Sequence, residues 1–291
     1  MLSTHEQATH RADARTAAER RLAAGLVAIA AGLVAVALLG PLVTGVIDYR
    51  VSDTLRNQTI GLDAVSLAIV APLSALAAVL ALRGRVAGPA LAMGVGAYTS
   101  YMFIQYIVGP DYGHLPGNNE RLFPLAVSMF AAGWIVALAG WLAATDNRLP
   151  HSPARERRTG RFILPALAGL AFVRYIPALG DWMSGDPQDP GYLAGPAFAW
   201  TIAALDLGVF LPVTAATCAG LSRGEAWARR AQYLVGGWFG LVGPAVASMA
   251  LVMHVNGDPN ASTGGTVFMT VLGLVFAALA VWLFLPLVRR S

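Results

Sequence analysis

The sequence predicts an all-α integral membrane protein, a bundle of eight transmembrane helices with both termini in the cytoplasm. Three observations carry that prediction. Of 291 residues, 56% are hydrophobic and only 12% are charged, about half the charged share of an ordinary soluble domain. Eight apolar stretches are long enough to cross a bilayer, which takes roughly 20 helical residues. Arginine is concentrated in alternate connecting segments, as the positive-inside rule demands of an eight-span chain.

The spans fall near residues 22–46, 60–82, 86–108, 122–144, 162–179, 195–220, 231–254 and 266–288. Residues 1–21 read as a cytoplasmic Arg- and Ala-rich tail, and 22–291 as a single membrane domain. The first apolar run is too long for a signal-peptide core and reads as an uncleaved span. With the N-terminus inside, the inner segments carry clusters such as Arg20-Arg21, Arg83 with Arg85, Arg155 with Arg157 and Arg158, and Arg229-Arg230. The outer loops hold only Arg50, Arg56 and Arg121. Acids run the other way: Asp48, Asp53, Asp63, Asp111, Glu120, Asp181, Asp186, Asp189 and Asp258 fall outside or at the outer boundary. The outer loops also hold most turn and uncharged polar residues, so a site is expected to open outward. The Arg-only, short-tailed style suggests a bacterial cytoplasmic membrane. There the acceptor-like Asn57-Gln58-Thr59 and Asn260-Ala261-Ser262 would stay unglycosylated.

Composition excludes several functions. All 20 Lys+Arg residues are arginine, so neither a lysine Schiff base nor a phosphate loop ending in Gly-Lys is available. The single cysteine, Cys218, excludes a disulfide, a CxxC pair or a cysteine zinc site, and reads as a small buried hydrophobe. The net charge of +4 and the pI near 9.6 are topology signals. Their natural partners are anionic headgroups on the cytoplasmic side, and no nucleic acid is expected. Rhomboid-type serine motifs, presenilin-type aspartate motifs, haem-binding histidine pairs and clustered prenyl-transferase aspartates are all missing. No cofactor is expected.

Prolines fall inside several spans, at Pro41, Pro72, Pro177, Pro212, Pro244 and Pro286. Each removes a donor and frees the carbonyl four residues earlier. In hydrocarbon that carbonyl needs another partner. Such breaks either kink helices for packing or line a solute site. Gly236 and Gly240 form a small-xxx-small pair suited to a close, intramolecular helix crossing. Trp141, Trp182, Trp200 and Trp227 suit an aromatic belt. Gly-Pro-Ala recurs at 88, 195 and 243, but at unequal intervals and depths, which does not establish a duplicated fold.

Two charges inside spans are the most informative residues. Arg174 stands about six residues, roughly 9 Å, before the outer end of the fifth span. Asp206 stands roughly 16 Å into the sixth. Intramembrane charges are costly and usually face a bundle interior or a water-filled cavity. Read functionally, Arg174 holds an anionic group on the floor of an outward pocket, and Asp206 fixes Arg174 or carries a proton. Read structurally, the pair pins two helices, or Arg174 snorkels. Tyr98, Tyr101 and Gln105 share one face of the third span, with Tyr106 beside them, and suit either the same pocket or interhelical bonding. Residues 48–58 suggest a short interfacial helix with Asp53 and Arg56 paired, serving as a lid or a solvated connection.

Asp111, His114, Glu120 and His254, with Asp258, are weak candidate metal ligands on one side; their spacing matches no established signature. These features suggest first a transport or binding protein for a small anionic solute, with an outward polar pocket at Arg174, Asp206, Tyr98, Tyr101 and Gln105. Two alternatives stay open. One is a structural, sensory or assembly subunit of a membrane complex without its own ligand. The other is an intramembrane enzyme acting on a lipid-linked substrate through Asp111, His114 and Glu120.

Overall fold

The computed structural model describes the backbone of residues 4–289 and the side chains of 16–288. Every regular element among the described residues is helical. Eight helices are long and apolar enough to span a membrane. They are α1 (Thr16–Leu39), α2 (Asp53–Leu82), α3 (Ala87–Val108), α4 (Asn119–Ala143), α5 (Pro153–Trp182), α6 (Pro196–Arg223), α7 (Ala226–Val255) and α8 (Thr263–Val288). An even number of spans returns the chain to the face it started from. That face is called here the arginine-rich face. Helical backbone continues upstream of α1 to Thr4, through the segment expected as a tail.

Helices α1–α4 and α5–α8 share a partial internal correspondence, one the Gly-Pro-Ala triplets do not mark. Residues 66–84 on α2 and 206–224 on α6 align at a constant interval. Leu67, Pro72, Ala75, Arg83 and Gly84 match Leu207, Pro212, Ala215, Arg223 and Gly224. Their geometry matches too. Ser66–Val70 and Asp206–Phe210 are both π-helical turns, each followed by a residue and then proline, a feature that Thr159–Ile163 of α5 also shows. Gly84 and Gly224 end the two helices at φ of 67° and 78°, a left-handed conformation only glycine adopts freely. Glu19-Arg20-Arg21 on α1 likewise matches Glu156-Arg157-Arg158 on α5.

Packing follows the correspondence in part, although α1 also packs on α4 and, among the described residues, α5 has no comparable packing on α8. The α1–α2, α2–α3 and α3–α4 contacts recur as α5–α6, α6–α7 and α7–α8. Across the halves, α2 lies on α7 as α6 lies on α3, and α3 meets α7 at the centre. The α3 window is 78% buried, against 22% for α8, so α3 is the hub and α8 lies at the rim.

Small residues permit the closest approaches. An ideal Cβ on Gly94 of α3 would stand 2.7 Å from the Gly237 Cα of α7. On α7, Gly236, Gly240 and Gly243 face Leu283, Ala280 and Phe276 of α8, so the glycine pair seen in the sequence is spent on intramolecular packing.

Besides Pro177, which breaks α5, the prolines singled out in the sequence divide into three groups. Pro41 lies beyond α1, which ends at Leu39, and so terminates that helix rather than interrupting it. Pro72 and Pro212 follow π-turns, where Ala71 and Leu211 donate five residues back to the Ser66 and Asp206 carbonyls. The ladder thus absorbs the donor each proline lacks. Pro244 and Pro286 lie within unbroken helix.

Candidate functional site

Arg174 and Asp206 do come together, through a residue the sequence reading passed over. Pro177 cannot donate to the Val173 carbonyl, so α5 breaks at Val173–Arg174. The Ile176 amide bonds that carbonyl instead, at 3.2 Å. The break swings Arg174 and Tyr175 toward α6. Tyr175 Oη donates to Asp206 Oδ2 at 2.7 Å. Tyr101 Oη, from α3, donates to Asp206 Oδ1 at 2.8 Å. Arg174 Nη2 donates to Tyr175 Oη at 3.0 Å and lies 3.6 Å from Asp206 Oδ2. Its guanidinium also sits 4.8 Å from the centre of the Tyr175 ring. Asp206 is thereby charge-balanced and hydrogen-bonded on both oxygens, as a buried carboxylate must be.

Burial separates the two charges. The Asp206 side chain is 7% exposed and the Arg174 side chain 56%. The acid is therefore sealed while its cation faces out of the bundle. Asp206 stands ten residues into α6, about 15 Å along it. Trp182, Tyr192 and Trp200 gather beside Tyr175. Trp182 stacks on Tyr192 at 5.3 Å and meets Trp200 and Tyr175 edge-on. Beneath, Tyr101 meets Phe210 and Trp238 edge-on, and those two stack at 3.7 Å. The Tyr101–Asp206 bond is also a link between the two halves, since α3 belongs to the first and α6 to the second.

The expected stripe on α3 divides. Tyr98 Oη bonds Ser66 Oγ at 3.2 Å, whereas Gln105 Nε2 folds back onto the Tyr101 carbonyl of its own helix. Both are buried, but neither hydrogen-bonds the Arg174–Asp206 pair.

Asp63, expected at the outer boundary, is one of four buried acids among the described residues, with Glu156, Asp206 and Asp258. Helix α2 starts at Asp53, so Asp63 also stands ten residues in and is 2% exposed. Tyr106 Oη donates to its Oδ1 at 2.8 Å. Residues 53–58 are the first turns of α2 rather than a separate interfacial helix, and Arg56 pairs with Asp48 at 3.2 Å rather than with Asp53.

The outer-loop candidates disperse. His114 Nδ1 lies 3.0 Å from Asp111 Oδ1. Slight desolvation of Asp111 is outweighed by the His114 ring and the His114 and Gly113 amides, which hold its carboxyl below the usual range. Glu120 is taken by Arg50 at 2.8 Å, Asp258 by Thr54 and Asn57, and His254 is exposed at the end of α7. Among the described residues no three His, Cys, Asp or Glu side chains converge as a metal centre would require. A cavity of about 140 Å³ lies on the arginine-rich face, among His151, Arg155, Glu156, Gln232 and Tyr233. It is remote from the Arg174–Asp206 pair. Its walls are spent on structure: Glu156 accepts from the Ser152 amide, and Arg155 bonds the Trp282 carbonyl and covers that indole.

Comparison with protein-family models, with curated proteins and with solved structures finds no match for this chain.

Proposed function

We propose that this is a multi-pass protein of a bacterial cytoplasmic membrane that binds or transports a small anionic solute at Arg174, from the outer side. One observation carries the proposal: a half-exposed guanidinium whose sealed counter-ion, Asp206, bridges the two four-helix halves. An arginine placed this way presents donors to an incoming carboxylate, sulfate or phosphate group. An anion drawing Arg174 away leaves Asp206 with two tyrosine donors and no cation, which favours proton uptake. A proton on Asp206 alters the bond to Tyr101 and hence the contact between halves. Asp206 also opens the π-turn ahead of Pro212, a point where α6 is already irregular. A mid-depth site and discontinuous helices are recurrent in secondary transporters.

The test is anion-dependent thermal stability of purified protein at fixed ionic strength, with sulfate, phosphate and acetate as probes. Wild type is expected to melt higher with at least one of them, and Arg174→Leu is expected to lose the gain. A second reading, a ligand-free subunit of a membrane complex, draws on the fact that both Asp206 oxygens are already satisfied within the chain. It predicts that Arg174→Leu changes stability equally in every anion.

A further inference from the structure

We infer that Asp63 and Tyr49 form a binding site for a monovalent cation, with sodium the ion that fits. The site is separate from Arg174 and does not depend on the anion reading. Asp63 Oδ2 and Tyr49 Oη are both buried and neither has a hydrogen-bond partner. Asp63 is 2% exposed and Tyr49 4%. No arginine or histidine pairs with Asp63 among the described residues, whereas Asp206 has Arg174. A buried carboxylate without a counter-charge is strongly disfavoured.

The surroundings are oxygen-rich and electronegative. The point where a Cβ on Gly40 would stand is 3.0 Å from Asp63 Oδ2, 3.0 Å from the Val36 carbonyl oxygen and 3.6 Å from Tyr49 Oη. Three oxygens from three segments therefore lie around a residue with no side chain, and of these the Val36 carbonyl already accepts the Gly40 amide at 2.8 Å. Val36 lies in the last turn of α1, which ends at Leu39. The negative end of that helix dipole attracts cations. Pro41 leaves the buried Ala37 carbonyl of the same turn without its usual helical donor. The Tyr106 ring stacks on Tyr49 at 5.2 Å, and its hydroxyl holds the other carboxylate oxygen, which fixes both ligands. Asp63 Oδ2 and Tyr49 Oη make no hydrogen bond to each other, so a proton on Asp63 would not satisfy both. A hard cation takes such oxygen ligands and supplies the positive charge that both atoms lack. Unwound carbonyls and helix C-termini are the groups that hold coupling cations in transporters.

The test is the melting temperature of the purified full chain titrated with sodium chloride against choline chloride at constant ionic strength. Wild type is expected to gain stability saturably with sodium. Asp63→Asn is expected to abolish the response while Asp206→Asn retains it. Should Asp63→Asn fail to fold, Tyr49→Phe keeps the charge and is expected to raise the half-saturating sodium concentration about tenfold, in line with the loss of one supporting group. Wild-type stability indifferent to sodium overturns the site. So does a sodium response that survives both Asp63→Asn and Tyr49→Phe. A stability that follows pH but not sodium, and loses its pH dependence in Asp63→Asn, makes Asp63 a proton site and also overturns the assignment.

Discussion

Valine at position 94 is expected to prevent assembly of the bundle. The neighbours of a Cβ there are backbone atoms, Gly237 Cα at 2.7 Å and its carbonyl carbon at 3.0 Å, and the reciprocal Cβ on Gly237 would stand 2.8 Å from Gly94 Cα. No rotamer change relieves that clash, so α3 and α7 must separate. They are the central helices of the two halves, and each carries contacts that depend on the other. Overpacking a core typically costs 1–3 kcal/mol, and more where backbone must move. Gly94→Val is expected to lose its monodisperse peak in gel filtration, and Gly94→Ala to melt measurably lower. Gly169→Val is the control, because nothing lies within 4 Å of a Cβ at that position. Normal yield and melting temperature for Gly94→Val would contradict the central crossing.

Truncation of Asp206 to alanine is expected to cost about 3 kcal/mol, because two tyrosine hydroxyls lose their acceptor and a buried orphan donor costs about 1–3 kcal/mol. Asp206→Asn keeps an acceptor for one tyrosine and is expected to cost about 1 kcal/mol. The additional change Tyr175→Phe in an Asp206→Ala background is expected to recover part of the loss, since it removes one orphan. Thermal unfolding of the purified variants reads all three. Equal stability of Asp206→Ala and wild type would remove the tyrosine bonds from the account.

How much of this was legible in the sequence differs from element to element. The eight spans follow from apolar runs and arginine spacing, which report the bilayer directly. Arg174 and Asp206 were visible because charge inside an apolar run is rare. Tyr175 was not: an aromatic residue near a span end resembles the interfacial belt, and only the break at Pro177 turns it toward Asp206. The burial of Asp63 was not visible because the first turns of α2, Asp-Thr-Leu-Arg-Asn-Gln-Thr, look like a loop. Their polarity is instead satisfied inside the protein, where Thr54 and Asn57 bond Asp258 and Asn256 bonds Asn57. The internal correspondence was hidden for a related reason. Its matched residues are few and scattered, while the more conspicuous Gly-Pro-Ala triplets do not correspond. Shared π-turns, following prolines and left-handed Arg-Gly ends reveal it, and these are features of backbone geometry rather than of composition.

Aqueous access to residue 174 tests the central claim most directly. Arg174→Cys would be built on a Cys218→Ser background and treated with a membrane-impermeant thiol reagent, in intact cells and in inside-out vesicles. The account predicts labelling in intact cells, because Arg174 is the exposed member of the pair and Asp206 the sealed one. Protein that reacts fully once solubilised, yet stays unlabelled in cells or labels only in inside-out vesicles, would contradict an outward-opening site at Arg174 and Asp206.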